Sequence, residues 1–167
     1  KIYGMTPYGG PFDAGVIFQF DTAGNKYKVL HCFDKINGAY PYGSLMQAKN
    51  GKFYGMTTNG GKYDDGVLFS YSLDSAVFKV LHHFKDSSTG ANPSGDLIQA
   101  TNGLLYGMTS SGGTYNKGVI FSYHIGSSKF TTRYNFNDTN GAEPRGTLTQ
   151  VGGRLYGVTR TGGNNTG

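Results

Sequence analysis

Apolar and polar residues alternate in short runs along this chain, and the runs recur. From Phe78 to Phe84 the pattern places Phe78, Val80, His82 and Phe84 on one face of a strand, by a period of two. Val67 to Ser72 alternates likewise, with Val67, Phe69 and Tyr71 on one side and Leu68 and the serines on the other. Phe53 to Thr57 is a third run and Leu45 to Ala48 a short fourth. Between these two lies Lys49-Asn50-Gly51-Lys52, where Asn-Gly predicts a tight type I′ hairpin with positive φ at both central residues. No segment carries the 3.6-residue period of a helix. In chain order the four pieces are a (45–48), b (53–57), c (67–72) and d (78–84).

The whole set repeats. KIYGMTPYGGPFDAGVIFQF, KFYGMTTNGGKYDDGVLFSY and LLYGMTSSGGTYNKGVIFSY are one segment three times, and RLYGVTRTGG begins a fourth copy. Tyr3, Tyr54, Tyr106 and Tyr156 mark the period of about 51 residues. Gly-Ala-x-Pro-x-Gly recurs as GAYPYG, GANPSG and GAEPRG. The chain therefore reads as a single repeat domain over residues 1–167, with repeats at 3–53, 54–105 and 106–155 and a partial copy at 156–167. Four antiparallel strands every ~50 residues are the blade of a β-propeller. One such sheet has two half-apolar faces and buries them only by stacking on its neighbours. The expected fold is all-β, with propeller-type blades of four antiparallel strands. A linear β-solenoid is the alternative, but its coils are shorter and carry fewer tight hairpins.

Composition narrows the picture. Gly is 28 of 167 residues, without a Gly-X-Y period, so collagen is excluded. Thirteen Tyr and 11 Phe are too many for a chain unable to build a core. Fifteen basic residues against 10 acidic give a net charge of +5, but they are spread singly, so no nucleic-acid footprint is expected. The lone Cys32 cannot form an internal disulfide and suits a small hydrophobe. No apolar run approaches the ~20 residues of a membrane helix, and no membrane span is expected.

The pattern Leu-Tyr-Gly-x-Thr-x-x-Gly-Gly-x-x-x-x-Gly-x-x-Phe runs through LLYGMTSSGGTYNKGVIF at 104–121. On these residues the chain resembles the bacterial tandem repeat called GloVer, and more distantly kelch, whose strand-d Trp is missing here. The resemblance covers essentially the whole chain. It implies a secreted or surface-anchored bacterial protein and assigns no activity.

The first strand present is a b strand and the last is also a b strand, which counts three and a quarter blades. The expectation is that this chain does not close a ring alone. It would belong to a longer propeller or assemble with other copies.

The connections divide by length. The a–b and c–d turns are short, whereas the d–a loops (34–44, 85–96, 137–147) and b–c loops (6–15, 57–66, 109–118) are long and emerge at one end of the blades. Long loops on a rigid scaffold are where function resides. The b–c loops carry Tyr8, Phe12 and Asp13, then Tyr63, Asp64 and Asp65, then Tyr115 and Asn116. Tyr63 and Tyr115 align at one loop position, and Phe12 lies within two residues of it. The d–a loops add Tyr40, Tyr42, Asn92, Glu143 and Arg145. Aromatic rings beside carboxylates and amides can hold sugars, the ring against the apolar sugar face and the polar groups on its hydroxyls. The competing reading is that each ring covers its own loop.

His31 and His82 occupy equivalent places in strand d with Tyr134 in the third copy, which suggests packing plus a hydrogen bond and not metal ligation. Lys62-Tyr63-Asp64-Asp65-Gly66 offers too few oxygens for calcium. No metal or cofactor is implied. No nucleophile elbow is present, and nothing selects a carboxylate pair for glycoside hydrolysis. The expectation is a non-enzymatic extracellular module that binds a glycan or a protein partner through the loop face. A structural array joined through open blade ends is the alternative, and a secreted hydrolase or lyase the lesser one.

Overall fold

The computed structural model describes residues 1–163; the last four residues of the partial fourth repeat lie outside them. Among the described residues thirteen strands form four separate antiparallel sheets. The first holds β1 (Ile2–Thr6), β2 (Val16–Asp21) and β3 (Lys26–Cys32). The second holds β4 (Met46–Gln47), β5 (Phe53–Thr57), β6 (Val67–Ser72) and β7 (Val77–His83) in that order. The third repeats it with β8 (Ile98–Gln99), β9 (Leu105–Thr109), β10 (Val119–His124) and β11 (Lys129–Asn135). The fourth pairs β12 (Thr149–Val151) with β13 (Arg154–Tyr156). These are the expected blades of a β-propeller. A helical turn, Asp86–Thr89, sits in the second d–a loop and takes up that loop's one extra residue.

The sheets stack face to face, and alternation decides which side chain enters which interface. Val67, Phe69 and Tyr71 of β6 pack with Ile17 and Phe33 of the first blade. Leu68, on the opposite face, packs with Leu97, Leu105, Phe121 and Tyr123 of the third. In each of the first three sheets strand b carries a glycine opposite a strand-c phenylalanine: Gly4, Gly55 and Gly107 pair with Phe18, Phe69 and Phe121. A Cβ on Gly55 would lie 2.6 Å from the Phe69 ring. The tip of the ring occupies the space of the missing side chain, which accounts for the glycine in the Tyr-Gly-x-Thr sequence of strand b. Its threonine closes the strand: Thr57 and Thr109 are fully buried, and each Oγ1 accepts from the first amide of strand c and donates to a loop carbonyl.

Two local expectations are corrected. The Asn50-Gly51 turn is not type I′, because only the glycine has positive φ (79° at Gly51, 80° at Gly103). Ala48 closes the hairpin on Lys52 across a three-residue loop, the form in which a type I turn ends in a left-handed glycine. Asn50 serves through its side chain, accepting from the Lys52 amide and donating to the Tyr54 hydroxyl. The third hairpin is one residue shorter, and there Gly152 and Gly153 both have positive φ.

Strand d also does not alternate without interruption. Leu68 pairs with His82 but Phe69 with Val80, so Leu81 is an extra, bulged residue. The bulge turns the strand over. Phe78 faces backward, stacked on His31 of the preceding blade at 3.9 Å and 4°. His82 and Phe84 face forward, His82 stacked on Phe130 of the next blade at 3.8 Å and 8°. The same slip occurs in β3 and β11. Strand d of the second blade thus sends rings to both of its neighbours.

Candidate functional site

The long loops come together at one end, as expected, and they do so by pairing. Ala39 bridges to Asn59, Ala91 to Ser111 and Ala142 to Thr161, each a d–a loop on the following b–c loop. The next residue, Tyr40, Asn92 or Glu143, donates its amide back to the preceding b–c loop, at Ala14, Asp65 and Lys117 respectively. Each d–a loop is therefore clamped between two blades. Tyr40, Asn92 and Glu143 all adopt positive φ, between 52° and 58°. Nearer the axis, Gly43 approaches Gly95 and Gly95 approaches Gly146, so closely that a Cβ would collide with the neighbouring carbonyl.

On this face lies a groove of about 740 Å³, a size typical of small-ligand sites, ~300–1,000 Å³. Its walls follow from the repeat. In Gly-Ala-x-Pro-x-Gly the Gly, Ala and Pro positions are identical in every copy and build the clamp. The second variable position supplies Tyr42, Ser94 and Arg145, all three of which line the groove. Asn92 and Glu143 come from the first variable position, and Thr58, Ser110 and Arg160 from the residue that follows the strand-b threonine. Variable positions of both loop types thus converge from successive copies on one cleft.

Its electrostatics centre on Glu143. Arg160 reaches Glu143 Oε2 at 2.9 Å and Arg145 reaches the same oxygen at 3.5 Å, all three side chains remaining partly exposed. Lys117, a fourth charged residue of the wall, pairs with Asp138 at 3.1 Å. Ser94 Oγ is buried in the wall without a hydrogen-bond partner.

The residues singled out in the sequence divide. Asn116 and Arg145 line the groove. Tyr8 lies beside it, with its hydroxyl 2.6 Å from that of Tyr42 and its ring against Tyr40. Asp13, Asp64 and Asn116 are equivalent, and each side-chain oxygen accepts the amide of the first loop glycine, at 2.8, 2.8 and 3.0 Å. Asp65 accepts the Asp86 amide at 2.8 Å, tying two loops together. Phe12, Tyr63 and Tyr115 occupy one equivalent position, exposed and outside the groove. Tyr63 lies between the ammonium groups of Lys62 and Lys85, 5.1 and 5.5 Å from its ring centre. The structure therefore does not bring those three rings into one cleft. Sequence reasoning missed Arg160 and did not select Ser94 or Ser110; the signal was variation at a fixed place in the repeat.

The histidines are packing residues. Nε2 of His31 and of His82 are buried and unpartnered, so ring stacking takes the place of the expected hydrogen bond. Burial, with repulsion from His83, pushes His82 down to about 4. Burial also lowers His31, partly offset by Asp34. Among the described residues no group of three or more His, Cys, Asp or Glu side chains comes together to hold a metal, and no helix is long and apolar enough to cross a membrane. A second cavity of about 410 Å³, lined by Tyr106, Met108, Leu148 and Leu155, lies between the third and fourth sheets. It leaves Tyr106 half-buried, in contrast to the buried Tyr54.

These blades and their loop face define a propeller-type repeat module. The chain belongs, over residues 1–167, to the Gloeobacter/Verrucomicrobia repeat family. Among solved structures it is similar to TolB from Acinetobacter baumannii, a β-propeller, with a TM-score of 0.54 at 12% identity. The match covers 88% of this chain and 32% of that one, so this chain spans about a third of its length. Among curated proteins none matches.

Proposed function

We propose that this chain is a non-enzymatic binding module of an extracellular bacterial protein, part of a larger propeller, and that it holds a glycan in the axial groove of its loop face. One observation carries the reading. Identical residues of each repeat build the clamp, while variable positions beside it line a single cleft with amides, hydroxyls, guanidinium groups and Tyr42. That inventory suits a polyhydroxylated ligand better than an apolar peptide. Incubation on a glycan array tests it. Binding to a defined set of oligosaccharides is expected, weakened by Asn92→Ala with Ser110→Ala, and no binding to any saccharide would refute it.

A second reading has its own support. Tyr134, equivalent to the stacked His31 and His82, is 43% exposed. An exposed ring at a position that stacks on the next blade in the first two copies favours a contact with another copy of the chain. Mass measurement by light scattering tests the copy-to-copy version: a monomer at every concentration argues against it.

A further inference from the structure

We infer that the glycan of the axial groove is acidic, and that Arg145 and Arg160 take its carboxylate. The inference rests on the glycan reading above and adds the ligand's chemical class. The two guanidinium groups come from different blades, and both converge on one carboxylate oxygen of Glu143, at 2.9 and 3.5 Å. The protein thereby displays a carboxylate already seated between them. One carboxylate leaves this trio with a formal excess of one positive charge. Planar guanidinium groups hold further donors, in the geometry that matches a second carboxylate.

The surroundings support the same assignment. Tyr42, Asn92 and Ser110 line the same groove and offer hydroxyl and amide groups to the ligand's hydroxyls. Lys117 is already paired with Asp138, so the uncommitted charge is concentrated at the arginines. A nucleic acid would need cations in a track along its backbone, whereas here two stand at one point. The net charge of +5 assists the approach of an acidic polymer at low salt.

The repeat supplies substitutions that preserve the fold. Ser94 stands where the third copy has Arg145, Ser110 where the fourth has Arg160, and Asn92 where the third has Glu143. The variants are therefore Arg145→Ser with Arg160→Ser, and Glu143→Asn, each checked for an unchanged melting temperature. The probe is an array of uronate- and sialate-bearing oligosaccharides, printed beside the same oligosaccharides with their carboxyl groups reduced and beside sulfated ones. The parent is expected to bind carboxylate-bearing members only. The double serine variant should lose about tenfold or more in affinity, the scale of one charge-assisted contact. Glu143→Asn, which removes the internal competitor, should raise the acidic signals several-fold. Equal binding of the carboxyl-reduced partners would overturn the inference and leave the glycan reading standing. Preference for the sulfated members, or weakened acidic binding by Glu143→Asn, would also overturn it. Absence of binding to every saccharide would overturn both.

Discussion

Gly55 and Gly51 are both glycines in one hairpin, and they are glycines for different reasons. At Gly55 a methyl group would press on the Phe69 ring at 2.6 Å, inside a core where that ring is fully buried. At Gly51 nothing lies within 4 Å, and only the left-handed φ of 79° disfavours a side chain. Gly55→Ala should therefore cost about 2–3 kcal/mol by overpacking, and Gly51→Ala about 1 kcal/mol by backbone strain. Denaturant melts of the two variants check the order, and an equal cost would contradict the ring-over-glycine packing. Tyr54, 2% exposed between the second and third blades, should cost about 3–5 kcal/mol on replacement by alanine. A loss under about 1 kcal/mol in the same melt would contradict its burial.

At the scale of the element, strand d shows what local pattern reveals and what it conceals. Its apolar content and length were legible in 78–84, because alternation is a property of neighbouring residues. The bulge at Leu81 was not, because it arises from the register against β6, and it reverses the face of every residue after it. The form of the a–b hairpin is concealed for a related reason: Asn-Gly suits two turn forms, and the residues that close the loop decide between them. The bulge has a measurable consequence. His82 and His31 are held neutral by burial in the stacks, with His82 near 4, whereas an unfolded histidine titrates near 6.5. Below pH ~6.5 the unfolded chain takes up protons that the native stacks refuse, so the stabilisation is present above that pH and is lost as pH falls toward 4. Replacing His82 with Phe keeps the stack on Phe130 and removes the titration. The melting temperature of the parent should drop between pH 7 and 4.5 by more than that of His82→Phe, the difference corresponding to about 2 kcal/mol once the partial exposure of the ring is allowed for. Parallel pH profiles would contradict the stacked, neutral histidine.

At the scale of the whole molecule, the question is whether the loop face acts as several sites or as one. The repeat was legible from recurring motifs, and so was the placement of long loops at one end. The convergence of the variable positions was not, since Ser94 and Arg145 stand 51 residues apart in sequence and meet only through the stacking of blades. Phe12, Tyr63 and Tyr115 recur once per blade and point to repeated weak sites whose sum is avidity. The groove points instead to one site built jointly by successive blades. The two arrangements differ in how alanine substitutions combine. Removing one of the three outer rings should leave a ligand bound in the groove almost untouched, and so should removing all three. With one site per blade, the single losses would be partial and the triple loss complete. Titration of the single and triple variants against the strongest glycan on the array, beside Ser110→Ala with Arg145→Ser, separates them. We expect the groove pair to abolish most of the affinity and the triple outer variant to keep it within about twofold, a change of under ~0.5 kcal/mol. Loss of binding in the triple outer variant would move the site from the axis to the blade rims.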